Sequence, residues 1–160
     1  TVENYEHLQL VLTEVLGFKL IDAEGSFHLF EVGEGGNGAS IIVEHREDLP
    51  AAQEGYGNVH HLALRVADEE ALRFWIEKIN RLEFPNSGFV ERFYFKSEYF
   101  LAATHVLFEL ATDGPGFLED ETYEHAGEKL SLPPFLEPKR AGIEEFVRPF
   151  DTSDANVQRN

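Results

Sequence analysis

Two side chains in this sequence are of the kind that hold a divalent metal ion, and strand alternation points them the same way. His60-His61 opens the run His60-His61-Leu62-Ala63-Leu64-Arg65-Val66, and Glu109 lies in Val106-Leu107-Phe108-Glu109-Leu110. In a strand, His61, Ala63 and Arg65 share one face, and the same parity groups Glu109 with Leu107 and Ala111. The alternate sets are aliphatic or aromatic and belong against helices, so His61 and Glu109 look toward one open surface. An imidazole and a carboxylate suit Fe(II), Mn(II) or Zn(II), and two histidines plus one carboxylate leave positions open on non-haem iron. Only two of those three ligands are placed. On spacing alone the plainer reading is favoured: two partly buried polar residues paired with neighbours.

The remaining histidines are weaker candidates. His105 has the parity of Glu109 but lies four residues along the strand, about 13 Å away at about 3.3 Å per residue, too far to share one ion. It reads as a turn residue. His7, His28, His45 and His125 read as solvated surface positions. The chain has no cysteine, which excludes disulfides and thiolate metal sites. The glycine-rich run Gly33–Gly38 lies between two β-prone segments, and no Lys-Ser/Thr follows it, so it reads as a hairpin loop and not as a phosphate cradle. No serine sits in a recognisable nucleophile setting. A net charge of -17, from 30 acidic and 13 basic residues, repels phosphate backbones and anionic lipid headgroups, so neither nucleic acid nor membrane is an expected partner. Every apolar run is broken by charges well before the roughly 20 residues of a spanning helix. The expected location is a reducing cytoplasm.

The elements that must position His61 and Glu109 follow from periodicity. Residues 4 to 17 read as an amphipathic helix capped by Asn4 and stopped by Gly17, with Leu8, Val11, Leu12, Val15 and Leu16 on its apolar face. Strands are expected at 18–23, 27–32 and 39–44. After Gly55-Tyr56-Gly57 the order repeats: a strand at 59–66, a helix capped by Asp68 with Leu72, Trp75, Ile79 and Leu82 inward, and strands at 89–96, 98–101 and 104–111. Leu16-Gly17-Phe18 aligns with Leu82-Glu83-Phe84, and the same offset matches Glu109 to Val43, so the first unit has no acidic ligand of its own. The expected fold class is α+β, with paired βαβββ modules forming an open, cup-shaped mixed sheet. One structural domain is expected, made of a first module (1–54), a second (55–117) and a C-terminal extension (118–160) with short helices near 119–129 and 141–147. The first module lacks most of its opening strand and the chain begins at Thr1, so a cut from a longer protein is expected.

Longer strings carry a resemblance. Gly57-Asn58-Val59-His60-His61-Leu62-Ala63, Arg92-Phe93-Tyr94-Phe95-Lys96-Ser97, the run Leu107–Phe117 and Leu130–Pro138 resemble the C-terminal half of ring-cleaving dioxygenases acting on hydroquinones, within the vicinal-oxygen-chelate (glyoxalase, bleomycin-resistance, extradiol dioxygenase) superfamily. The resemblance implies Fe(II), or Mn(II), bound by His61 and Glu109, with a third ligand, a histidine, from an N-terminal half that this chain lacks. It implies roles in substrate binding and proton transfer for Tyr99, Arg92 and His60, the last needing a twisted strand start. Ala102-Ala103-Thr104-His105 departs from the Pro-Gly-Gly turn usual in that family. The expected partners are a small aromatic substrate and O2, and either a second copy of the chain or the missing half. The chain alone is expected to be inactive. Two other functions remain open: a glyoxalase-like, metal-dependent lyase or isomerase, and a metal-free small-molecule-binding module.

Overall fold

The computed structural model describes residues 1–53 and 55–148. The first helix, α1 (Tyr5–Leu10), starts where the Asn4 side chain accepts a hydrogen bond from the His7 amide. It runs into a π-helical turn at Val11–Val15 and ends at Gly17, whose φ of 78° an L side chain rarely adopts. Leu8, Val11, Leu12 and Leu16 are buried, as their spacing requires. Strands β1 (Lys19–Glu24), β2 (Phe27–Glu31) and β3 (Ser40–Glu44) form an antiparallel sheet in that order, and Val2 bridges to His45 in parallel.

The second sheet is mixed, in the order β4-β7-β6-β5. Strand β4 (Leu62–Arg65) runs parallel to β7 (Val106–Ala111), which is antiparallel to β6 (Lys96–Ala103), with the two-residue strand β5 (Val90–Glu91) outside. Helix α2 (Glu69–Arg81) is capped by the Asp68 carboxylate and buries Leu72 and Ile79. The Lys78 ammonium donates to the Val15 carbonyl, tying α2 to the end of the first helical segment. One core runs through both halves, with Phe30 and Phe100 wholly buried in it. An α+β fold with one antiparallel and one mixed sheet is therefore present.

Several expectations change. The strand expected at 89–96 shrinks to β5, because residues 92–95 form a turn, with Phe93 at a φ of 70° and the Arg92 amide donating to the Phe95 carbonyl. The aromatic side chains that suggested a strand serve the tail instead: Tyr94 stacks on Phe117 and donates to Asp120. No helix forms at 119–129, a stretch of turns and bends in which Gly127 has a φ of 82°. The last helix, α3 (Arg140–Phe146), forms as expected. Among the described residues no helix is long and apolar enough to cross a membrane.

Two polar residues are less exposed than their types suggest, and His28 is not the solvated surface position expected. His28 is half-buried, stacked on Tyr5 at 3.9 Å, and its Nδ1 has no hydrogen-bond partner. Glu98 lies on the helix-facing side of β6 with Phe100 and Ala102, fully buried, and neither carboxylate oxygen has a partner. Burial pushes its carboxyl pKa up to about 7.

Candidate metal and substrate site

His61 and Glu109 meet. The residue before β4 turns its imidazole so that Nε2 lies 3.0 Å from Glu109 Oε2. The parallel register behind this sets Leu62 beside Phe108 and Ala63 beside Glu109, so a methyl group flanks the carboxylate and leaves room above it. The pair is asymmetrically buried: the Glu109 side chain is 4% exposed and that of His61 32%. Pairing with a neighbour accounts for Oε2 alone. Oε1 of Glu109 is buried with no hydrogen-bond partner, the kind of orphan that an ionised carboxylate in a protein interior seldom tolerates.

The other expected residues gather around this pair. His60 lies outside β4 and is exposed, so strand parity does not govern it. Its Nδ1 is 2.8 Å from His61 Nδ1, and one of the two must donate. With His61 donating there, a metal ion at Glu109 would meet the Nε2 lone pair, which is how a metal-binding imidazole is usually held; without one, Nε2 carries the hydrogen toward Glu109. Tyr99 faces Glu109 across the β6–β7 pair, and its ring packs edge-on to that of His61 at 5.4 Å. The Arg92 guanidinium sits 5.4 Å from the Tyr99 ring centre. Burial and then the nearby Glu109 raise the Tyr99 phenol pKa, while Arg92 and Ser97 pull it the other way. His105 is exposed in the two-residue β6–β7 turn with a φ of 61°, away from the pair.

Ser97 was missed. It lies on the Tyr99 face of β6 and is fully buried, with an Oγ that has no aligned partner. Its parity with Tyr99 was readable, but nothing in its residue type signals burial. Among the described residues, no group of three or more His, Asp or Glu side chains is placed to hold a metal ion.

No protein-family model matches the chain. It is 46% identical over 154 residues to "Putative ring-cleaving dioxygenase MhqA" of Bacillus subtilis (strain 168), covering 93% of this chain and 49% of that protein. It is 36% identical over 145 residues to "Putative ring-cleaving dioxygenase MhqO" of the same organism, covering 90% and 46%. The chain thus spans about half the length of the curated relatives it matches. Among solved structures, a putative dioxygenase from Bacillus subtilis superposes with a TM-score of 0.82 at 34% identity, covering 94% of this chain and 48% of that one. A lactoylglutathione lyase from Agrobacterium tumefaciens shares the fold at a TM-score of 0.54 and 14% identity, covering 69% and 87%. In sequence the chain is similar to half of these putative ring-cleaving dioxygenases, and its fold is the one that dioxygenase and glyoxalase structures share.

Proposed function

We infer that the chain is the C-terminal half of an Fe(II)- or Mn(II)-dependent dioxygenase that opens hydroquinone-type aromatic rings. The observation that carries this reading is the His61–Glu109 contact with Glu109 Oε1 buried and orphaned beside it. One nitrogen and one carboxylate fit the donor set of that metal class, and a third histidine would come from a preceding half. The similarity to ring-cleaving dioxygenases about twice as long supports both parts of the reading. The paired-module architecture follows from it too: Val2 lies parallel beside β3 as β4 lies beside β7, the place an opening strand would take.

A metal bound there would supply a redox-active Lewis acid for an aromatic phenolate and O2. The chain's own residues have distinct tasks. His60 fixes the His61 tautomer by accepting its Nδ1 proton, Tyr99 presents a hydroxyl that donates to a substrate oxygen, and Arg92 offsets anionic charge on the ring. Neither nucleic acid nor membrane is a partner in this reading. The sheet surface beside His61 and Tyr99 is covered by the preceding half, or by a second copy when the chain is alone.

The test is metal analysis with an oxygen-consumption assay on the full-length protein, using a panel of hydroquinones and catechols. Oxygen uptake with ring cleavage is expected. Turnover of a glyoxal adduct without oxygen uptake would replace this reading with the lyase one, and a metal-free inactive protein with the binding-module one. The 160-residue chain supplied with Fe(II) should cleave no ring; full activity from it would sink the half-enzyme reading.

A further inference from the structure

The open face of the second sheet carries two orphaned polar atoms, and they flank Tyr99. Glu109 Oε1 lies on one side, across the β6–β7 pair, and Ser97 Oγ on the other, two residues back along β6. The first is accounted for by the metal reading. A hydroxyl buried without a partner is unfavourable, and alanine there would remove the deficit at no loss of volume elsewhere. Its neighbours across the strands, Ala111 and Val90, offer it nothing from their side chains. The Tyr99 side chain follows it on the same face of β6, and Ser97, Arg92 and Glu109 all bear on the Tyr99 hydroxyl.

The Tyr99 backbone is already fixed. Its amide donates to Ser87 Oγ at 2.9 Å, and its carbonyl accepts from the Ser87 amide at 2.9 Å. What remains free is the direction of the phenol, and three groups bear on it. Arg92 is exposed and tethered to a turn, so it restrains loosely. Glu109 is engaged by His61. Ser97 is the rigid one, paired on both sides near the start of β6 with no exposure.

We propose that Ser97 is a positioning residue for ring cleavage, its hydroxyl bonding the Tyr99 phenol oxygen and holding it in line to donate to the substrate. The proposal rests on the ring-cleavage reading and extends it to a residue that touches neither metal nor substrate. No bond is made or broken at Ser97. Its hydroxyl gives a proton to a hydrogen bond with the phenol oxygen, leaving the phenol's own proton for the substrate.

Two measurements test this together. In the 160-residue chain, carbon-13 NMR of labelled tyrosine rings, with the Tyr99 signal assigned by Tyr99→Phe, should show that signal alone moving in Ser97→Ala. Thermal stability should change little, because the lost hydrogen bond is offset by no longer having to desolvate the hydroxyl. In the full-length enzyme, Ser97→Ala should lower kcat about tenfold with little change in KM, the size of effect expected from one neutral hydrogen bond. Ser97→Thr should recover part of the loss. An unmoved Tyr99 signal overturns the proposal, as does an active parent indifferent to Ser97→Ala, and so does a fall in kcat that merely follows a fall in stability. A full-length protein that cleaves no ring overturns the functional reading and this role with it, a result distinct from the other three.

Discussion

The two sheets share a register and differ in what they mount on it. In the first, Phe30 pairs with Ile41, Leu29 with Ile42 and His28 with Val43. In the second, Phe100 pairs with Phe108, Tyr99 with Glu109 and Glu98 with Leu110. Each has a wholly buried phenylalanine in its middle strand, and two residues before it a polar side chain with orphaned atoms facing the helices. On the open face, one sheet carries Leu29 and Ile42, the other Tyr99 and Glu109. The backbone therefore does not decide where chemistry can occur; two side chains at one register do. The pairing also corrects the alignment of the repeats. Ile42, not Val43, stands where Glu109 does, and Val43 is buried on the helix-facing side.

The most damaging changes should treat the two sheets alike. Phe30→Ala and Phe100→Ala each remove a fully buried ring and should each lower stability by about 3–5 kcal/mol in urea denaturation. A loss confined to Phe100→Ala would mean that the first sheet contributes little to the shared core.

Glu98 should separate the sheets by pH. Its folded pKa of about 7 lies above the ordinary 4.5, so its contribution to stability is fully present below about pH 4.5 and is lost as pH rises through about 7. The span is about 3 kcal/mol. The nearby Lys96 cation is engaged by Glu69, which leaves Glu98 unpaired. Glu98→Gln should flatten this part of the pH profile and raise stability at mildly alkaline pH. An unchanged profile would mean that Glu98 finds a partner when ionised.

At the open-face register the contrast should appear in activity. On the proposed function, Glu109→Ala in the full-length enzyme should lower metal-dependent turnover by about a hundredfold or more, because an anionic ligand would be lost from a small set. Ile42→Ala, at the matching place, should leave turnover within about twofold. Comparable losses at both would mean that the first sheet also lines the reacting site. The smallest effect is expected at His105→Asn, since asparagine tolerates the positive φ and the side chain is exposed: turnover and metal content should not change measurably.

Much of this was legible because short-range rules governed it. Asn4 and Asp68 cap their helices through side-chain carbonyl or carboxylate oxygens, and alternation carried one residue back from β4 puts His61 on the side of Glu109. The failures lie where tertiary contacts overrule local preference. Phe93, Tyr94 and Phe95 have the composition of a strand, yet Tyr94 is claimed by Phe117 and Asp120 and the chain turns there. Glu98 and His28 are polar by type yet lie on the helix-facing sides of their strands, while Ser97 is buried on the opposite, open face; nothing in their residue types signals this. His60 could not be placed by parity because the strand begins two residues later.

The parallel β4–β7 pairing has a consequence in time. Strands β1, β2 and β3 can find one another through local turns, and β6 and β7 through a two-residue turn. Strand β4 must wait until α2, β5 and the β6–β7 hairpin have all intervened, and pairings across such sequence separation are the slow ones in folding. His61 immediately precedes β4 and Glu109 lies in β7, so their contact cannot exist before that docking. On the proposed function, refolding followed by metal uptake would consequently report the closing of the second sheet.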